Sequence, residues 1–318
     1  MIETDGWADL PPGLAGAAVA LGAFDGLHRG HAAVLAAARA GTAGRGAAGD
    51  APRPLVVVVF EPPPKMYFAP AGTPARRLTT PALRAEAAAA LGADGLVALR
   101  FDAGRASQPP QAFADEMLAA LAPAHLAVGH DFRFGAGRAG DGALLAAACA
   151  AHGTGFTQLD PVGDAGGARI SSTRIRAALE AGDVATATDL LGRPWQVEGV
   201  VEHGEKRGRT IGWPTANFRL GMLVEPLHGI YTIRVRLPDG TVHGGVANFG
   251  RTPTTGLRDP LFEAHLFDFD GDLYGQRLVI ELLAFQRPEA RFNGLDELVA
   301  QIARDGEEAR ARLAALAL

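Results

Sequence analysis

The sequence predicts a doubly wound parallel α/β sheet followed by a small antiparallel β-barrel with a C-terminal helix. Three observations carry this expectation. Over residues 1–190, short β-branched runs alternate with alanine-rich segments, the pattern of strands joined by crossover helices. Beyond Leu191-Gly192-Arg193-Pro194 the helical segments stop, and alternating strands follow one another across Gly, Pro and Asp turns. At 318 residues the chain exceeds the usual size of one domain, so two are expected, at 1–190 and 195–318.

In the first half, strands are placed near 17–22, 55–60, 95–99, 125–129 and 155–159. Leu55-Val-Val-Val-Val-Phe60 is apolar at every position, as a strand covered on both faces must be. Helices are placed near 30–40, 81–91, 110–121, 142–151, 172–180 and 183–190. Residues 41–54 have no periodicity and read as a low-complexity loop. In the second half, strands fall within Val197–Val201, Ile230–Leu237, Thr241–Phe249, Phe262–Phe269 and Leu278–Phe285. The tail from Leu295 to Leu318 carries Leu295, Leu298, Val299, Ile302 and Ala303 at helical spacing, which predicts a helix packed on the barrel.

Composition narrows the function. With 48% hydrophobic and 20% charged residues the chain has ample material for a core. A net charge of −5 argues against a broad nucleic-acid footprint. The apolar run Leu14–Phe24 follows Glu3, Asp5 and Asp9 and is interrupted by Gly16 and Gly22, unlike a secretory leader. No run approaches the roughly 20 residues needed to cross a bilayer, so no membrane partner is expected. The one cysteine, Cys149, leaves no internal disulfide or cysteine-built zinc site and suits a reducing cytoplasm. Of 30 Lys plus Arg residues only Lys65 and Lys206 are lysine.

Some motifs are discounted. Gly44-x-Gly46-x-x-Gly49 and Gly135-x-Gly137-x-x-Gly140 match the dinucleotide fingerprint, but a chain with 41 glycines produces such matches by chance. The first follows a helix, and the second starts six residues past its strand. Neither lysine completes a P-loop. His28 and His31 lack the further ligands a zinc site needs.

Two constellations remain. Gly22-Ala-Phe24-Asp25-Gly26-Leu-His28-Arg-Gly30-His31 runs from the first strand into the first helix. It places two imidazoles where backbone N–H groups and the helix dipole already favour an anion. Ile170-Ser171-Ser172-Thr173-Arg174-Ile175-Arg176 likewise follows a strand and opens a helix, where hydroxyls cap and arginines meet phosphate. Together they form two clamps for a polyphosphate; the alternative is a glycine-rich turn with surface histidines. These segments resemble the nucleotidyltransferase superfamily, and Val128-Gly129-His130-Asp131-Phe132-Arg133-Phe134-Gly135 resembles its FAD synthetase branch. The resemblance implies a nucleotidyltransferase-like sheet, in which His28, His31, Ser171, Ser172, Thr173 and Arg176 serve adenylyl transfer. Gly22, Phe24, Asp25 and Gly30 would belong to the ATP site, with Asp131 and Phe132 near nucleotide or flavin. Where that family commonly reads Phe-x-Pro-His-Pro, this chain has Phe60-Glu61-Pro62-Pro63-Pro64, with Lys65 next.

The second constellation is His203-Gly204-Glu205-Lys206-Arg207-Gly208-Arg209-Thr210-Ile211-Gly212-Trp213-Pro214-Thr215-Ala216-Asn217. Its cations and glycines suit phosphate, and its Pro-Thr-x-Asn turn offers oxygens to a hard cation. A solvated hairpin loop is the alternative. With Gly229-Ile230-Tyr231, Gly245-Val246-Ala247-Asn248, Phe262 to Asp268, Leu273-Tyr274-Gly275 and Arg287 to Phe292, the segment resembles riboflavin kinase. That resemblance implies a phosphate loop including Lys206 and Gly208. Thr215 and Asn217 would hold Mg²⁺ and ATP, Glu263 would be the base for the riboflavin 5′-hydroxyl, and Arg287 would lie near the flavin or nucleotide. Strand alternation alone does not single out Glu263 from Asp268 or Asp270. Arg251-Thr252 stands where the family often reads the reverse order.

The combined resemblance is to bifunctional riboflavin kinase and FAD synthetase, converting riboflavin to FMN and FMN to FAD with ATP. Two alternatives stay open: a riboflavin kinase whose N-terminal module is inactive or altered, and a flavin or nucleotide sensor without turnover.

Overall fold

The computed structural model describes residues 2–7, 10–43, 52–74, 76–203, 212–251 and 260–316. The chain packs as two compact units, Met1–Thr73 with Pro81–Ser171, and Pro74–Thr80 with Ser172–Leu318.

The first unit is built on strands β1 (Ile2–Asp5), β2 (Ala18–Leu21), β3 (Leu55–Glu61), β4 (Gly95–Arg100), β5 (His125–Gly129) and β6 (Gly155–Leu159). They form one parallel sheet in the order β1-β4-β3-β2-β5-β6. The helices are α1 (Arg29–Ala40), α2 (Pro64–Tyr67), α3 (Pro81–Ala90), α4 (Ala103–Ser107), α5 (Pro110–Leu121) and α6 (Gly142–Ala151). Alternate residues of each strand face opposite sides. Val19, Leu21, Val56, Val58 and Val128 pack against Phe113, Met117 and Leu118 of α5 and Leu145 and Cys149 of α6. Ala18, Ala20, Leu55, Val57 and Val59 pack against Val34, Leu35 and Ala38 of α1 and Ala85 and Ala88 of α3. A core on each face is why β3 reads as an unbroken apolar run.

Direction reverses around β2: the chain moves from β2 outward to β3 and β4, then returns to place β5 on the other side. The crevice above the carboxyl ends of β2 and β5 is the expected ligand site of such a sheet.

The second unit begins with α7 (Ser172–Glu180) and α8 (Val184–Leu191) and continues with β7 (Trp195–Val200), β8 (Ala216–Arg219), β9 (Gly229–Arg236), β10 (Val242–Gly250), β11 (Leu261–Leu266), β12 (Arg277–Arg287) and α9 (Leu295–Ala315). The antiparallel strands run β7-β12-β9-β10-β11-β8. A bridge between Glu202 and Asn217 nearly closes the barrel. Trp195, Tyr231, Phe218, Phe249 and Phe262 fill its interior. Residues of the 74–80 segment join this unit, with Arg77 donating its N–H to Met222 at 3.0 Å and Trp195 donating Nε1–H to Leu78 at 2.8 Å.

Three sequence expectations need correction. Strands β1 and β8 and helices α2 and α4 were not expected; all have four or five residues, too few for periodicity to register. Asn217 sits on β8 rather than in a turn. The buried face of α9 is Asp305, Gly306, Ala309 and Leu313, while Leu295 is 60% exposed, because the first turns of α9 border a cavity instead of the core.

Candidate active sites

In the first unit, the loop from β2 to α1 bends sharply. Phe24 and Leu27 adopt positive φ, 47° and 42°, and Gly26 has φ 89°. Side-chain-bearing residues rarely occupy this region, and such strain concentrates where a fold must hold a functional shape. Phe24 and Leu27 are locked by burial at 1% exposure each. Gly22 and Gly30 are tightly packed: a Cβ would stand 3.1 Å from the Phe24 ring and 3.2 Å from the His28 ring respectively, so either ring would have to shift by a few tenths of an ångström.

His28 is the N-cap of α1, its Nδ1 accepting the His31 backbone N–H at 3.2 Å. An accepting Nδ1 carries no proton, so the neutral ring keeps its proton on Nε2. The two imidazoles stack with centroids 3.5 Å apart and planes within 13°. Phe24 meets His31 edge-on at 5.2 Å. The spacing of three thus brings the histidines together. Ile170 reaches the same place, its carbonyl oxygen 3.8 Å from where a Gly30 Cβ would lie.

His31 opens on a cavity of about 580 Å³ lined by Gly22, Phe24, Phe60, Phe132 and Asp131 among others. Phe132 stacks on Phe134 at 5.7 Å, and Phe134 meets Phe113 at 5.6 Å. Asp131 accepts from Arg169 Nη2 at 2.6 Å. Burial works to raise its pKa, but the Arg169 guanidinium wins and holds the carboxyl below its ordinary value. Pro63 and Lys65 line the same cavity. Gly135 and Gly140 pack on Pro110, where a Cβ would come within 2.6 and 2.7 Å, so that glycine pattern serves packing. The pattern at 44–49 lies outside the described residues.

Ser172, Thr173 and Arg176 lie on α7 of the second unit, while Ser171 ends the first. Arg176 donates Nε–H to the Arg76 carbonyl at 2.6 Å.

In the barrel, register creates a row of polar side chains. Asn248 on β10 stands opposite Glu263 on β11, and Glu263 stands opposite Asn217 on β8. Phe262, Ala264 and Leu266 take the buried face of β11, leaving Leu261, Glu263 and His265 half-buried on the other. Asn248 donates Nδ2–H to Glu263 Oε2 at 3.4 Å. Among the described residues, the Oδ1 atoms of Asn217 and Asn248 are buried without a hydrogen-bond partner. A buried amide oxygen without a donor is costly, and a bound hard cation or substrate donor removes the cost.

Glu263, Asn248, Thr215, His265 and Arg287 line a cavity of about 330 Å³. Thr215 also borders a second cavity of about 480 Å³ with Phe269, Asp270, Asp272 and Tyr274. His265 donates Nδ1–H to the Pro214 carbonyl at 2.8 Å, and burial lowers its pKa. Arg251 lies 3.7 Å from Glu225. Lys206 and Gly208 fall outside the described residues. The sequence reading missed Asn248, His265 and Asp305 as cavity residues; for the first two strand register was the signal, and it is not written in any single strand, while Asp305 lies on α9.

The fold and the two sites define a two-part enzyme: a nucleotide-binding parallel sheet with paired imidazoles at its switch point, and a barrel with a carboxylate beside unsatisfied hard oxygens. The sequence model for FAD synthetase matches residues 11–174, and that for riboflavin kinase matches residues 191–313. The chain belongs to the family of bifunctional riboflavin kinase/FMN adenylyltransferases. Curated members from Escherichia coli K12 and Haemophilus influenzae are 42% and 40% identical, covering 93% and 94% of this chain and 92% and 94% of theirs. A crystal structure described as a macrolide-efflux protein from Streptococcus pneumoniae superposes with TM-score 0.84 at 31% identity, covering 97% of this chain and 98% of that one. No helix among the described residues is long and apolar enough to cross a membrane.

Proposed function

We propose that the barrel transfers the γ-phosphoryl group of ATP to the 5′-hydroxyl of riboflavin, giving FMN and ADP, and that the N-terminal sheet joins FMN to the adenylyl group of a second ATP, giving FAD and pyrophosphate. The single observation that carries the reading is the coexistence of two separate cavities with different chemistry: stacked imidazoles at one, a carboxylate at the other. Catalytic labour divides at the sequence boundary near 190–195.

A primary alcohol is un-ionised at neutral pH, so phosphoryl transfer needs a base within hydrogen-bond reach. Glu263 fills this role. Asn248 holds one of its oxygens, and the carboxylate takes the hydroxyl proton as the oxygen bonds to the γ-phosphorus and the bond to ADP breaks. Thr215 borders both cavities, which suits the junction where alcohol and phosphate meet. Asn217 Oδ1 and the Thr215 hydroxyl fit Mg²⁺, a hard cation that takes oxygen ligands and completes its shell with water and substrate phosphate. When bound, Mg²⁺ neutralises phosphate charge.

FMN brings an already ionised phosphate, so adenylyl transfer needs positioning and charge stabilisation more than a base. One FMN phosphate oxygen bonds to the α-phosphorus while the bond to pyrophosphate breaks. His28 Nε2–H and His31 face the developing charge, Ser171, Ser172, Thr173 and Arg176 hold phosphate oxygens, and Phe132 and Asp131 border the flavin or nucleotide. Purified chain with riboflavin, ATP and Mg²⁺ tests the whole reading. FMN followed by FAD is expected. FMN as sole product overturns the adenylyl half, and no product overturns both.

A further inference from the structure

Asp305 is a carboxylate in the middle of α9, only 4% exposed, and no step above uses it. An ionised carboxylate out of water is costly unless it is paired and hydrogen-bonded. Here it is supplied by two side chains. Arg287 donates Nε–H to Oδ1 at 2.8 Å and Nη2–H to Oδ2 at 2.6 Å, and Gln301 donates Nε2–H to Oδ1 at 2.9 Å. Gln286 donates to the Asp305 backbone carbonyl at 3.3 Å. Next in the chain, Gly306 sits so near Trp213 that a Cβ would come within 2.7 Å of the indole, so α9 is seated tightly at this point.

The guanidinium of Arg287 is fixed from its other side as well, with Nη1–H donated to the Pro288 carbonyl at 2.9 Å. Three of its five N–H bonds are therefore engaged among the described residues, which leaves one on each Nη nitrogen. Arg287 and Asp305 border the same cavity as Glu263. A bidentate carboxylate sets the plane of a guanidinium as well as its place, which a single hydrogen bond does not do.

We propose that Asp305 is a positioning residue of the barrel site: by fixing the plane of Arg287 it aims the two remaining N–H groups at an oxygen acceptor of the alcohol substrate bound beside Glu263. The proposal rests on the kinase reading of the barrel. It differs from a plain staple between α9 and β12, which would hold the fold without discriminating between the two substrates.

Steady-state kinetics of the full chain with Asp305→Asn, Arg287→Lys and the double variant separate the two. Asp305→Asn removes one charged acceptor at nearly constant volume, so KM for riboflavin is expected to rise about tenfold, with KM for ATP and the rate of FAD formation from supplied FMN within about twofold of wild type. Because Asp305 acts through Arg287, the double variant is expected to be no worse than the poorer single variant by more than about twofold. Asp305→Glu, which keeps the charge, recovers part of the loss. Equal rises in both KM values, no rise in either, or multiplicative losses in the double variant would overturn the proposal. Quenching of riboflavin fluorescence without ATP gives an independent reading of binding. Wild-type protein that binds riboflavin without phosphorylating it overturns the kinase reading alone, and Asp305→Asn then still has to weaken that binding. Protein that does neither overturns both.

Discussion

Asn217 and Glu263 stand directly opposite each other on β8 and β11, and among the described residues the buried amide oxygen of Asn217 has no hydrogen-bond donor. In the proposed reading Glu263 is the base and Asn217 a cation ligand, and those two roles are separable. Glu263→Gln keeps the shape and removes the proton acceptor. FMN formation from riboflavin is expected to fall about 10²–10⁴-fold. FAD formation from supplied FMN should persist, since Glu263 is not among the residues proposed for adenylyl transfer. Chromatography of both product mixtures checks this, and loss of both activities in a folded protein would refute independent sites.

Asn217→Ala deletes the unsatisfied oxygen. The Mg²⁺ concentration giving half-maximal kinase rate is expected to rise at least several-fold, while the magnesium dependence of FAD formation is unchanged. A magnesium titration of each activity reads this directly. Chelation of all divalent cations should stop the kinase step in wild type and variant alike.

In the proposed reading His28 combines a structural and a catalytic role that substitution can divide. Its Nδ1 caps α1, and loss of such a cap costs about 0.5–2 kcal/mol; its Nε2–H belongs to the imidazole pair. His28→Ala is expected to lose both stability and FAD formation. His28→Asn restores an N-cap acceptor and should recover most of the thermal midpoint without recovering FAD formation. Calorimetry beside an FMN adenylylation assay distinguishes the two effects, and FMN formation should survive in both variants.

The parts of this molecule legible in the sequence are those whose physics is local. The run at 55–60 announces a doubly covered strand, and the glycine-histidine segment announces a strand-to-helix turn, because each pattern is complete within a few residues. The spacing of His28 and His31 was sufficient to foresee their meeting. Glu263 was another matter: its selection over Asp268 and Asp270 depended on family resemblance. The register that sets Glu263 between Asn217 and Asn248 involves three strands separated by many residues. Asp305 was invisible for a related reason. A carboxylate on an apparently amphipathic tail reads as solvated until β12 delivers Arg287 to it.

His265 supplies a pH test. Burial lowers its pKa in the folded barrel, with the Pro214 carbonyl opposing that shift and Arg310 adding to it. The unfolded chain therefore takes up a proton at a pH where the folded one resists it. The sign follows from linkage: below the ordinary histidine value of about 6.5, stability falls as pH falls, down to the lower folded value, and above it the contribution is constant. His265→Gln removes the titrating group and should flatten this part of the stability curve. Denaturant unfolding followed at several pH values between about 5 and 8 measures it, since the His265 ring lies tilted against Trp213 with centroids 4.6 Å apart and the indole reports on its surroundings. A variant whose stability falls as steeply as wild type over that window would show that other groups carry the acid sensitivity.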